Sequence, residues 1–357
     1  MIKAGDVVGG RYTIIQHVGR GGMQEVYRAR DGLLDVDVAL KTPQVGQHTK
    51  RFADSAVIAA KVNHHDVAKT LDYFIDGVAY LVEEFVEGES LEQKLERFGA
   101  LDPHLGARVL HHLAKGVAAS HRVGVIHRDL KPSNIMASAG VNLHNLKITD
   151  FGIATLTAEV FDEAAKAGDL TRSTSGTVRG ALPFMAPEMM FRKPGEHPGP
   201  EIDIWSVGAM MFKLLTGEFP FGVYLEAAVN VKNRDRKPWP AFMTSNAQFA
   251  PLARELQGIV ESCLSYDPAA RPTADILVNQ CQGLCYLAAD REVGQIEKFI
   301  QNGFSGFIDV SDDTVFFSRE SVYGEVRPDM QKNRMVCFAS FPGSPRRRAH
   351  PVIVLKS

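Results

Sequence analysis

Val125-Ile126-His127-Arg128-Asp129-Leu130-Lys131-Pro132-Ser133-Asn134 places an acid, a base and an amide within six residues, behind an apolar pair and a His-Arg step. In an extended loop these side chains can converge on one point. The Asp can orient a hydroxyl and accept its proton, the Lys can neutralise charge on a phosphoryl group, and the Asn can hold a divalent metal. A helix-spaced apolar series, Val109, Leu110, Leu113, Val117, Ala118 and His121, runs directly into the loop. Such a helix would hold the loop rigid from behind, as preorganised chemistry requires.

Residues 146–150 form a short apolar strand that ends in Asp150-Phe151-Gly152. Towards the N-terminus, residues 12–18 and 25–29 read as strands around Gly19-Arg20-Gly21-Gly22-Met23, a glycine-rich hairpin whose backbone amides can approach phosphates. Val38-Ala39-Leu40-Lys41 is an apolar strand with a lysine on it, and a lysine on a buried strand needs an anionic partner. The string at 125–134 resembles the catalytic loop of eukaryotic-type protein kinases, H-R-D-L-x-x-x-N, and the flanking motifs match that family's Gly-rich loop, V-A-I-K lysine and D-F-G in the right order. The glycine loop and the Arg51-Phe52 helix resemble the bacterial Ser/Thr branch.

The resemblance implies an α+β fold: a two-lobed kinase over residues 12–280 (N-lobe 12–86, C-lobe 87–280). It further implies Mg-ATP as cosubstrate, with Mn2+ as a substitute metal, and protein hydroxyls as acceptors. Asp129 and Lys131 become the catalytic residues, and Asn134 and Asp150 the metal ligands. Val18, Gly19, Gly21, Gly22, Val26, Ala39, Lys41, Glu84 and Val86 would surround the nucleotide. Thr171, Ser173, Thr174, Ser175 and Thr177 fall in the activation segment, where an added phosphate can pair with Arg128. Glu188 is expected to pair with Arg271, and Asp203 to cap the catalytic loop.

Three positions depart from the family pattern. Gln24 stands where the third loop glycine would be. Ser55 occupies the place of the helix glutamate that pairs with the strand lysine, and no glutamate lies between Lys41 and Glu83. Three alternatives stay open: the helix shifts so that Asp54, one position away and rotated by about 100° around the helix, reaches Lys41; Glu83 at the gatekeeper site substitutes; or the ion pair is absent. Ala181 replaces the usual threonine that ties the catalytic Asp to its Lys. The Gln24 position is the least demanding of the three loop positions; Ser55 and Ala181 motivate an alternative, a weakly active or pseudokinase-like nucleotide-binding signalling module.

From about residue 290 the sequence changes to short strand-like runs with aromatics around glycines, including Gly303-Phe304-Ser305-Gly306-Phe307-Ile308 and Val315-Phe316-Phe317-Ser318. Strand-spaced aromatics can make a platform on which bases stack. This tail resembles a cold-shock domain, which implies a small all-β OB-type barrel over 290–357 with Phe304, Phe307 and Phe316 as candidate nucleic-acid contacts. The first-strand Trp of that family is Lys298 here, and the second-motif His is Ser318. Residues 291–357 carry ten Lys/Arg against eight Asp/Glu, concentrated at Arg346-Arg347-Arg348. Single-strand binding and a protein-contact or autoregulatory barrel both stay open.

Composition sets the remaining bounds. With 357 residues, 45% hydrophobic and 23% charged, the chain supports more than one packed domain, and a net charge of -2 gives no global pull to nucleic acid or membrane. Cys263, Cys281, Cys285 and Cys337 lack a second ligand pair and read as reduced thiols of a cytoplasmic protein. His111, His112 and His121 have no ligand-spaced Cys or acid and read as core or solvated histidines. No signal peptide or membrane span is expected.

Overall fold

The computed structural model describes residues 2–20, 24–44, 49–151, 180–193, 195–300, 303–311, 313–324 and 332–356, without the side chains of Thr49, Lys50, Arg51 and Ser55. Gly21, Gly22, Gly152 and the activation-segment candidates Thr171, Ser173, Thr174, Ser175 and Thr177 lie outside the described residues.

The first lobe is an antiparallel sheet of six strands in the order β1-β2-β3-β4-β6-β5. These are β1 (Val7–Val8), β2 (Tyr12–Arg20), β3 (Gln24–Asp31), β4 (Val36–Pro43), β5 (Thr70–Asp76) and β6 (Val78–Glu84). Period-2 alternation sorts their side chains. Tyr27, Ala29, Val38, Leu40, Tyr80 and Val82 build a core on one face. On the other face, Ala79 and Leu81 pack against Phe52 and Ala56 of helix α1 (Thr49–Ala59). Lys41 lies opposite Leu81, and Ala39 opposite Glu83, so all four share that second face.

The second lobe is mainly helical. Helices α2 (Leu91–Phe98), α3 (Pro103–Arg122), α4 (Glu201–Thr216), α5 (Tyr224–Asn233), α6 (Ala250–Cys263) and α7 (Ala274–Gln282) surround one core. Asp102 caps α3 by accepting hydrogen bonds from the His104 and Leu105 amides, with Pro103 at the first helical position, so sequence alone starts this helix sharply. Helix α4 is buried almost all round, with Trp205 inaccessible. Gly208 brings it against α6, because a Cβ there would sit 2.7 Å from Cys263 Cβ. Strands β7 (Gly88–Ser90), β8 (Ile135–Ser138) and β9 (Leu146–Ile148) form a small sheet on this lobe. The catalytic-loop sequence fills the gap between α3 and β8, and Asp150 follows β9.

The tail forms β10 (Arg291–Phe299), β11 (Ser305–Val310), β12 (Asp313–Ser318), β13 (Val322–Tyr323), β14 (Met335–Phe341) and β15 (Arg348–Val354). Pairing runs β12-β11-β10-β14-β15, and a parallel contact of β12 with β15 closes the ring, with β13 added beside β15. This is a five-stranded closed barrel of the OB kind. Its interior holds Ile296, Ile308, Val315, Phe317, Val336 and Phe338.

The barrel is not a loose appendage. Tyr323, Cys337 and Ile353 join the helical lobe's own core. Phe249 meets Tyr323 edge-on at 5.2 Å and stacks on His350 at 5.2 Å. Arg291, the first residue of β10, pairs through Nη2 with both carboxylate oxygens of Asp102, at 2.9 and 3.1 Å, and both side chains are buried. Among the described residues no helix is long and apolar enough to cross a membrane.

Candidate active site

Asp203, at the start of α4, organises the catalytic loop from below. Its carboxylate accepts hydrogen bonds from the His127 amide at 2.8 Å and the Arg128 amide at 2.7 Å, and His121 Nε2 lies 2.9 Å away. These bonds hold Arg128 at φ 65°, a left-handed conformation that costs a non-glycine residue energy and therefore needs outside support. His127 is buried, approaches the Thr149 carbonyl at 2.9 Å and packs edge-on against Phe151 at 4.5 Å. The loop and the segment bearing Asp150 are thereby fixed to each other. His121 is thus a structural partner of Asp203, and His112 approaches Asp66 at 2.5 Å.

Asp129 has two oxygens in different circumstances. Oδ2 accepts from Lys131 Nζ at 2.9 Å and from Asn134 Nδ2 at 3.1 Å. Oδ1 is buried with no hydrogen-bond partner among the described residues. Ala181, also buried, offers no hydroxyl. An ordinary buried carboxylate oxygen finds a donor, so an orphaned one at this position is an acceptor held in reserve.

Lys41 reaches two carboxylates, Glu83 at 2.5 Å and Asp150 at 2.7 Å. Burial opposes the charge on Lys41, yet Asp150 and Glu83 together raise its pKa above the ordinary lysine value. Burial likewise works against the Asp150 carboxylate, but Lys41 and Gln24 hold it below the usual carboxylate range. At Glu83 burial prevails and the pKa is raised despite Lys41. Of the two candidate partners named from sequence, Glu83 is the one in contact. Asp54 is exposed, and its charge bears on the Tyr73 hydroxyl of β5.

Gln24 was legible only as a missing glycine. It is buried, and its Nε2 donates to Asp150 Oδ1 at 2.7 Å, linking the two lobes across the cleft. The signal available was its length and amide at a position where a small residue is expected. Around the cleft, Val18 is exposed, Val26, Ala39 and Val86 are half-buried, and Gly19 has open space where a Cβ would be. Glu84 ends β6 and is tied by Lys147 at 2.8 Å, leaving Val86 in the strand-free connection to β7.

The donor set suits a hard divalent cation. Asn134 spends its amide nitrogen on Asp129, which leaves the amide oxygen, and both bonds to Asp150 converge on Oδ1. Amide and carboxylate oxygens are what magnesium takes. Farther out, Arg271 forms the expected pair with Glu188, donating from Nη1 at 2.6 Å and Nη2 at 2.9 Å. All four cysteines are free; Cys263, Cys281 and Cys337 are buried, and burial pushes each thiol up to about 12.

A sheet lobe bearing the lysine and a helical lobe bearing Asp129, Lys131, Asn134 and Asp150 define the two-lobed protein kinase architecture. Residues 12–281 match the family described as protein kinase domain, and the chain belongs to that family. It is 36% identical over 278 residues to serine/threonine-protein kinase drp72 of Corynebacterium efficiens, covering 74% of this chain and 49% of that relative. Against serine/threonine-protein kinase pkn3 of Myxococcus xanthus the identity is 32% over 281 residues, covering 76% and 49%. Against PrkC of Bacillus subtilis it is 32% over 233 residues, covering 64% and 33%. The chain therefore spans about half, or less, of the length of these curated relatives. Among solved structures, that of Rad53 1-466 in complex with AMP-PNP superposes with a TM-score of 0.58 at 23% identity, over 76% of this chain and 64% of that one, which shows the fold.

Proposed function

We propose that the chain is a serine/threonine protein kinase that transfers the γ-phosphoryl of Mg-ATP to protein hydroxyls. In this reading residues 12–280 are the catalytic domain, with lobes 12–86 and 87–280, and residues 290–357 are the barrel domain. The observation that carries it is Asp129: one oxygen is anchored by Lys131 and Asn134, and the other is buried and unspent. A substrate hydroxyl donates to Oδ1 and its oxygen attacks the γ-phosphorus in line. The proton passes to Asp129, the bond to the bridging oxygen breaks, and that electron pair leaves with ADP. Lys131 sits 2.9 Å from Asp129 Oδ2, close enough to neutralise charge on the transferring group. Magnesium, or manganese in its place, would supply charge neutralisation along the phosphates, held by Asn134 and Asp150. Lys41 would pair with the nucleotide phosphates, and Val18, Val26, Ala39 and Val86 would enclose the base. Phosphorylation of the activation segment, including by the chain itself, belongs to the same reading, as does a cytoplasmic setting for its unpaired thiols.

The test is transfer from labelled ATP to the chain itself and to a generic protein acceptor, comparing the parent with Asp129→Asn. Loss of a general base costs about 10²- to 10⁴-fold, with nucleotide affinity kept. Equal incorporation by both proteins refutes the assignment.

The barrel supports a second role in the same chain. Register places Lys298, Phe307, Phe316 and Arg348 opposite one another across four strands. Lys298 and Arg346 lie 5.5 and 5.7 Å from the Phe307 ring, and Arg348 lies 5.9 Å from that of Phe316. Phe304 is exposed nearby. Two rings flanked by cations are the components of a single-strand platform, and we read this row as a weak binding face for single-stranded nucleic acid.

A further inference from the structure

We infer that Glu83 is the positioning residue for Lys41, so that the phosphate-pairing lysine is set by the sheet and not by helix α1. The inference rests on the kinase reading above and deepens it.

Lys41 is cross-strand to Leu81, and Glu83 is two residues further along the same strand, hence on the same face and diagonal to Lys41. Diagonal Cα pairs on adjacent strands lie about 7–8 Å apart, within reach of long side chains. Here the ammonium and the carboxylate meet at 2.5 Å, and both residues are almost inaccessible, at 4% and 3% exposed. A lysine buried to this degree without an anion would be strongly destabilised. Its other partner, Asp150, is also a candidate metal ligand. Glu83 has no such second role: its contact with Lys41 is set by the strand register alone.

Nothing on α1 duplicates this role among the described side chains. The helix faces the sheet with Phe52 and Ala56, while Asp54 is exposed and felt at Tyr73. Both members of the Lys41–Glu83 pair sit on hydrogen-bonded neighbouring strands, so their separation is fixed by the β4–β6 ladder. A displacement of α1 would disturb its packing against Leu81 and Ala79 but would leave the ion pair intact. A device that silences a kinase by swinging a helix-borne carboxylate away from its lysine has no purchase on this site.

The experiment uses the full chain with Glu83→Gln, Glu83→Asp and Asp54→Ala. Affinity for a fluorescent ATP analogue and initial transfer rates across Mg-ATP concentrations are measured for each. Glu83→Gln is expected to raise KM for ATP and weaken analogue binding at least tenfold, with kcat falling less. Glu83→Asp should fall between it and the parent, and Asp54→Ala should stay within twofold of the parent. A merely structural defect would lower the active fraction and kcat while leaving KM for ATP alone. Parental KM in Glu83→Gln, or a loss in Asp54→Ala as large as in Glu83→Gln, overturns the proposal. If Glu83→Gln does not fold, Glu83→Asp decides in the same way, because it keeps the buried charges balanced. If the parent transfers no phosphate, the kinase reading fails separately, and analogue affinity still scores Glu83.

Discussion

Replacing Arg291 by leucine removes one half of the ion pair that joins the barrel to the helical lobe. Asp102 and Arg291 are both buried, with side-chain exposures of 0% and 2%. Breaking such a pair from one side strands a charge and costs about 3–5 kcal/mol. Asp102 keeps its two helix-capping bonds to the His104 and Leu105 amides, which favours the lower end, about 3 kcal/mol. That is a substantial share of the ~5–15 kcal/mol by which a domain is ordinarily stable. The assay is built into the sequence. The chain has two tryptophans, Trp205 and Trp239, and both lie before the barrel. Trp205 is wholly buried beside Phe221 and Tyr266. Urea unfolding followed by tryptophan fluorescence therefore reports on the helical lobe, while Arg291 belongs to the barrel. The Arg291→Leu midpoint should fall by an amount equal to the energy divided by the urea slope. Asp102→Asn should behave similarly, and the double variant should cost clearly less than the sum, because neither residue is then left as a lone charge. A tryptophan transition that moves by less than about 1 kcal/mol in Arg291→Leu refutes the claim that the two parts share an interior.

Two further outcomes are expected. Burial pulls the His104 pKa down to about 4, and its Nδ1 accepts from the Leu287 amide at 3.1 Å in the segment leading to the barrel. An unfolded histidine titrates near ~6.5, so the unfolded chain takes up this proton first; stability is whole above about pH 6.5 and lost as pH falls towards 4, by at most about 1.4 kcal/mol per unit. Denaturation midpoints across that window should fall less steeply in His104→Gln, and identical slopes in the two proteins would count against the assignment. On the barrel, Phe307→Ala should weaken binding of a single-stranded oligonucleotide at low salt by about 1–3 kcal/mol. A parent chain that binds no oligonucleotide at low salt removes the nucleic-acid role and leaves the barrel as a docking element.

The sequence disclosed the active site to the extent that its chemistry is local. Asp129, Lys131 and Asn134 lie on one short loop, so the string could be read without knowing the fold. The Lys41–Glu83 contact was open because it depends on strand register: shifted by one residue, Glu83 would face the opposite side of the sheet. Ser55 and Ala181 marked where the usual partners are lost but not what replaces them. Gln24 stood in the sequence only as a departure from the glycine pattern, and only the folded hairpin reveals an amide reaching Asp150. In the tail, strand-spaced aromatics around glycines announced the strands β11 and β12. The parallel closure of β12 on β15 and the Asp102–Arg291 pair were not visible, because such contacts link residues far apart in sequence and leave no periodic trace.

The shared interior also limits how this chain can be recombined. A tail attached through a polar linker can be exchanged as a cassette. Here Asp102 is at once the cap of α3 and the anchor of β10, and Phe249 is at once lobe core and a floor for Tyr323 and His350. A substitute tail would have to bring its own guanidinium and its own rings to the same places, or the host lobe would have to be rewritten at Asp102 and Phe249 together. The family match ends at residue 281, but the smallest portable piece extends beyond that point.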